Sequence, residues 1–241
     1  MRTLLPFAAL ALAIPTTASA QSQAQSAAQR EITALNQRVT VLEGVREIKN
    51  LQRAFGYFVD RGLWRQAAEL FAEDGTIEIG VDGLYRGQDR IEEYLRRLHA
   101  RNTPEGQEGL IYGQLNEWVT LQPAIHVADD GMSGHARWRD LGMLGQYKQH
   151  ASWRDGTYEN TYVKGADGKW RIASLTLYVN FEAAYAEGWA RLEPGEGLVR
   201  SQASIDFAPD APSTVDYQPF PAVNVPPFRA PHPVTGREVR P

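Results

Sequence analysis

Apolar residues recur at Ile32, Leu35, Val39 and Leu42 with the alternating three- and four-residue spacing of a single helix face. The seam is short for a coiled coil, and it predicts a helix that covers the domain or a partner subunit. A second amphipathic helix is expected from Val45 to Val59, with Ile48, Leu51, Phe55 and Phe58 on one side and Gly62 as its stop. A third, from near Leu63, presents Trp64, Ala67, Ala68, Leu70 and Phe71. Glu73–Gly75 reads as a turn before the alternating strand "TIEIG", and Ile91–His99 reads as a helix carrying Ile91, Tyr94, Leu95 and Leu98.

Beyond this point the period changes from helical to alternating. "IYGQLNEWVTLQPAIHV" predicts strand up to a turn at Asp129–Gly131, and "MSGHARWRDLGMLG" predicts another. In "GTYENTYVKGADGKWRIASLTLYVNF" the "ADGKW" centre is a hairpin turn between two strands. Helices first and long antiparallel strands afterwards make an α+β fold, with a curved sheet packed on about three N-terminal helices. From Phe207 to Pro241 the chain is rich in proline, which excludes helix and central strand and predicts extended chain. Tyr217, Phe220 and Phe228 give that segment apolar groups to lay on a surface.

Charge and composition then narrow the function classes. A net charge of −4 without a basic run argues against nucleic-acid binding. Arg2, the apolar run "LLPFAALALAIP" and "ASA" before Gln21 have the form of an export signal, too short to span a membrane, with cleavage expected after Ala20. Gln21–Gln29 is expected to fray, and the protein is expected to be periplasmic or secreted. The absence of cysteine removes disulfides, cysteine nucleophiles and thiolate metal sites. No histidine or carboxylate cluster has metal-ligand spacing, and neither "GLYRGQ" nor "GMLGQY" has phosphate-loop spacing.

Two blocks, "YFVDRGLWRQAAELFAEDGTIEI" and "GTYENTYVKGADGKWRI", resemble the SnoaL-like branch of the nuclear transport factor 2-like superfamily, over roughly Val45–Trp189. The resemblance implies a cone-shaped α+β barrel whose helices close an apolar cavity, and a homodimer or higher homo-oligomer. With the sequence patterns on either side, the chain is expected to divide into a signal peptide (1–20), a helical extension (21–44), the cone domain (45–206) and the proline-rich tail (207–241). The family includes scytalone dehydratase-like enzymes, cyclases, isomerases, a dehydrochlorinase and non-catalytic binders, and its enzymes generally need no metal or organic cofactor. The long exported layout is also similar to γ-formaldehyde lyases, which convert lignin-derived diaryl propanediols to stilbenes.

Asp60, four residues before Trp64, matches the position of an acidic group at the cavity mouth in scytalone dehydratase-like members. Carried over, it becomes a general acid/base or a group orienting one, since a carboxylate on an apolar wall holds its proton toward neutrality; the alternative is a solvated helix-end residue paired with Arg61 or Arg53. Where the family often has a histidine, this chain has Trp118, which is read as an aromatic wall or as core, with Asn116 and Glu117 as polar neighbours. His150, in a segment read as a rim loop, and Tyr158 complete the catalytic candidates; His126 and His135, on the strands joined by the Asp129–Gly131 turn, are further histidines that could point inward. Tyr57, Asn116, Trp118, Arg139, Asn160 and Tyr178 are the binding candidates. Tyr158, Asn160 and Tyr162 share one strand face, opposite Glu159 and Thr161, and Arg137 shares a face with Arg139. The expected chemistry is acid/base elimination on a small aromatic substrate without cofactor; a dehydratase or isomerase of hydroxylated polycyclic compounds, or a periplasmic binding protein, is the alternative.

Overall fold

The computed structural model describes residues 16–100, 103–104, 107–196, 199–223, 226 and 231–239. The first fifteen residues of the expected export signal, and Phe228, lie outside them. The chain forms two compact units, Met1–Thr40 and Val41–Pro241. In the first, the described residues are helical, and Ile32, Leu35 and Val39 are exposed.

The second unit is built on a six-stranded sheet. Its strands are β1 (Phe71–Ile79), β2 (Leu84–Arg86), β3 (Gln114–Val127), β4 (Ser133–Gln146), β5 (His150–Lys164) and β6 (Trp170–Ala184). They lie in the order β2-β1-β6-β5-β4-β3, antiparallel except for β1 beside β6. The sheet is curved and open, as the α+β cone fold requires. Helices α1 (Thr16–Asp60), α2 (Trp64–Ala68), α3 (Gln88–His99) and α4 (Gln202–Asp206) complete the elements.

Alternation along the strands decides which side chains face the core. In β4, β5 and the first half of β3 the even-numbered residues point inward: Trp118, Ala136, Trp138, Tyr158 and Tyr162 are all buried, and after the irregularity between Leu121 and Ala124 the odd-numbered Ile125 and Val127 take over that face of β3. Ile172, Leu175 and Leu177 of β6 and Ile77 of β1 continue that face, and Ile48, Phe55 and Val59 of α1 belong to the same core. Burying each such large apolar side chain contributes about 2 kcal/mol. A polar network crosses this layer. Gln52 Oε1 accepts from Tyr162 Oη at 2.8 Å and Asn160 Nδ2 at 3.0 Å, and Trp138 Nε1 donates to Tyr162 Oη at 3.1 Å. Those bonds satisfy buried groups that would otherwise cost stability.

The chain after β6 returns along the β1–β2 edge. Ser201 N and Ser204 Oγ donate to Asp82, at 2.6 and 3.1 Å. Leu84 bridges to Ala211. Glu78, itself buried, accepts from Ser213 Oγ, Thr214 N and Thr214 Oγ1 at 2.6–2.7 Å. Tyr217 Oη accepts from Val179 N at 2.9 Å. Residues 207–217 are thus extended and held against the sheet by its carboxylates.

Several expectations are corrected. The two helices expected on either side of Gly44 are one continuous α1, and Gln21–Gln29 is helical within it. Gly44 packs so closely that a Cβ there would stand 3.1 Å from Trp170 and Val127, so it is a contact point rather than a break. The third helix stops at Ala68, and Phe71 already belongs to β1. Glu73–Gly75 is an irregularity inside that strand, where the pairing with β6 jumps from Phe71 to Thr76. His150 is not in a loop: it opens β5, paired with Gln146.

Candidate active site

A cavity of about 380 Å³ opens at one end of the concave face, with His99, Asn116, Leu144, His150, Arg154 and Val179 in its lining. Its charged floor follows from one row across three strands. Trp118 of β3 pairs with Gly142 of β4, and Gly142 pairs with Arg154 of β5. Because Gly142 has no side chain, the Arg154 guanidinium folds across it and lies 3.9 Å from the centroid of the Trp118 ring.

Arg154 is 3 % exposed. Its Nε donates to Asp140 Oδ2 at 2.8 Å, and Tyr158 Oη donates to Asp140 Oδ1 at 3.2 Å. Burial works against the charge on Arg154, but Asp140 and the neighbouring Tyr158 outweigh it and hold the guanidinium protonated more firmly than a free arginine. Burial first, then Asp140, pushes the Tyr158 phenol well above its ordinary range, so Tyr158 is a hydrogen-bond donor rather than a base. Arg154 Nη2 is buried and has no hydrogen-bond partner among the described residues.

His99, the last residue of α3, sits edge-on to Trp118 with ring centroids 4.7 Å apart and stacks on Trp64 at 5.7 Å. Its backbone carbonyl accepts from Gln114 Nε2. The residue keeps some surface, yet Nε2 is buried without a hydrogen-bond partner among the described residues. Burial, then the charge of Arg154, hold this imidazole well below its usual range, hence neutral near pH 7. Two unpartnered nitrogens, one cationic and one neutral, therefore flank one indole at the cavity wall.

Asp60 ends α1 and is 8 % exposed. Its Oδ1 accepts from the Trp118 amide at 2.6 Å. Burial raises its pKa from 3.8 to about 6 against the lowering effect of that bond, and Glu117 adds to the rise. Beside it, Asn116 Nδ2 donates to Val59 O at 2.8 Å.

Of the residues singled out from the sequence, Asn116 and His150 line the cavity. Asp60, Trp118 and Tyr158 stand directly behind its floor, as the contacts above show. Asn160 is committed to Gln52 in the polar network. Three binding candidates point elsewhere. Tyr57 is 70 % exposed on α1, Arg139 pairs with Asp155 at 3.0 Å on the outer side of the sheet, and the Tyr178 ring packs edge-on against Tyr217 at 5.3 Å. His126 and His135 pair with each other across β3 and β4, away from the lining. Sequence reasoning missed His99, Arg154 and Asp140. The usable signal for Arg154 was its place on the same alternating face as Tyr158 and Asn160; for His99 no local signal existed.

The arrangement sets a fixed cation, Arg154, and a neutral imidazole, His99, together in the lining of one cavity. The family model for the SnoaL-like domain matches residues 40–176. Among solved structures, LinA aligns with a TM-score of 0.52 at 12 % identity, over 62 % of this chain and 95 % of its own. A candidate scytalone dehydratase from Novosphingobium aromaticivorans aligns at 0.49 and 19 % identity, over 60 % and 89 %. A protein of unknown function from Mycobacterium tuberculosis aligns at 0.46 and 22 %, over 57 % and 72 %. No curated protein matches the chain. With more than half its length under the family model and the curved sheet in place, the chain belongs to the SnoaL-like family, on the nuclear transport factor 2-like fold.

Proposed function

We propose that this protein is an exported lyase that carries out acid/base elimination on a small oxygenated aromatic compound, using its own side chains without a cofactor. The observation that carries the reading is the pair of buried, unpartnered nitrogens, Arg154 Nη2 and His99 Nε2, on one cavity wall. An arginine edge fixed by Asp140 is a preorganised donor for an oxygen that gains negative charge, and such stabilisation is worth most where water is excluded. A neutral imidazole beside it accepts a proton from the substrate. Asp60 acts on the site through the Trp118 backbone, and His150 at the rim supplies a proton to the departing group.

The specific version is deformylation of a diaryl propanediol. The benzylic hydroxyl takes a proton from His150 and leaves as water, while Arg154 holds an oxygen substituent of the ring. The bond to the hydroxymethyl carbon then breaks, its electrons form the central double bond of the stilbene, and the hydroxymethyl oxygen gives its proton to His99 and departs as formaldehyde. One proton is supplied and one is taken, and the reaction is redox-neutral. The export-signal pattern of Arg2 to Ala20 supports a reading in which this chemistry takes place outside the cytoplasm.

Purified protein incubated with such a diol and no additive should release formaldehyde and develop stilbene absorbance in equal amounts. Turnover of hydroxylated polycyclics instead of the diol would make it a dehydratase on the same residues. Binding of both with turnover of neither would sink the enzymatic reading.

A further inference from the structure

Among the described residues, one face of α1 is a row of exposed apolar side chains. Ile32, Leu35, Val39 and Leu42 are 50, 51, 50 and 68 % exposed, four large apolar side chains in a continuous row on a regular helix. Written as a heptad, Ile32 and Val39 take the first position and Leu35 and Leu42 the fourth. This is the β-branched and leucine alternation that favours two parallel strands. The flanking charges discriminate between orientations. In a parallel, in-register pair, Arg38 lies at the position that faces Glu43 of the second copy, and the reciprocal contact forms on the other side. An antiparallel pair that overlaps the same four residues sets Arg38 against Arg38 of the second copy. The row ends at Arg46 and Lys49, which would occupy the next core positions.

We propose that this face of α1 is a dimerisation seam, occupied by the same face of a second copy of this chain in parallel register. The proposal is independent of the reaction assigned to the cavity. Two heptads are a modest interface, so the association is expected to depend on protein concentration.

The absence of native cysteine allows a direct test on the full chain. Leu35→Cys should form a disulfide-linked dimer under mild oxidation, while Gln37→Cys, on the outer side of the helix, should not. In sedimentation, Glu43→Arg should weaken the dimer by roughly tenfold, and adding Arg38→Glu should restore it. Leu35→Asp combined with Val39→Asp should sediment as a monomer with unchanged circular dichroism. A dimer that survives this double substitution would overturn the proposal, as would equal cross-linking at residues 35 and 37. A native chain that stays monomeric into the high micromolar range, or that instead co-floats with lipid vesicles, would also overturn it.

Discussion

Asp60 shows how a single carboxylate can hold position and still carry a cost. Its oxygen is fixed by the Trp118 amide, yet burial lifts its pKa from 3.8 to about 6. The folded state therefore takes up a proton between about pH 4 and pH 6 that the unfolded chain does not. Asp60 favours folding most below pH 4, loses that contribution as the pH rises through 6, and is level above. Asp60→Asn keeps an acceptor for the amide and removes the charge. Its melting temperature should match the native protein at pH 4 and exceed it at pH 7, and a constant gap across that range would contradict the assignment. Arg154 is the counterpart for chemistry. Arg154→Lys keeps a cation near Asp140 but lacks the forked edge facing the cavity, so turnover should fall by about a hundredfold in a kinetic assay while the fold survives. Removing the charge altogether, as in Arg154→Met, leaves Asp140 buried and uncompensated and should destabilise the protein by about 3–5 kcal/mol.

Between elements, the decisive object is an absent side chain. Gly142 leaves the space through which Arg154 reaches Trp118; a Cβ there would stand 3.1 Å from Arg154 Cβ and 3.3 Å from Nε and Nη2. Gly142→Val should displace the guanidinium, reduce turnover about as much as Arg154→Lys and lower stability by about 1–3 kcal/mol. A fully active Gly142→Val protein would show that the stacking is incidental. This row also explains what the sequence made legible. Two-residue alternation is a local property, so the grouping of Tyr158 with Asn160 and Tyr162 on one face of β5 could be read directly, while which face turns inward could not. That Trp118, Gly142 and Arg154 share a row depends on the register of two strand pairs, which alternation leaves open. His99 is more remote still. Its helix was legible from Ile91, Tyr94 and Leu95, but the indole that the helix end meets lies nineteen residues further on, beyond a loop. The imidazole expected at the position of Trp118 is in effect delivered from α3 to the edge of that same ring. Asp60 needed no tertiary inference for its location, and its burial came with the helix end it occupies.

For the unit as a whole, the return of residues 199–217 along the β1–β2 edge is as much part of the cavity as the sheet is. Val199 and Ser201 line it, and Asp82, Glu78 and Val179 hold that segment in place. Glu78→Ala would leave the Thr214 amide and hydroxyl without their acceptor and the Ser213 hydroxyl with only Val215 O, a cost of about 1–3 kcal/mol. The released segment should then be cut by protease between residues 207 and 217 under conditions that leave the native protein whole. Equal resistance in the two proteins would mean that the carboxylate is not what fastens it.

That arrangement separates two properties of the pocket. His99, Asn116 and Arg154 fall within residues 40–176, whereas Val179, Val199 and Ser201 lie beyond the family match and supply another wall; of the lining residues beyond the match, Glu182 alone adds a charge that favours the protonated Arg154. Substitutions in the second set alter the width and contour of the chamber while leaving the reactive nitrogens where they are. A chain built this way can change the molecules it accepts, by selection or by design, without rebuilding the chemistry it performs on them.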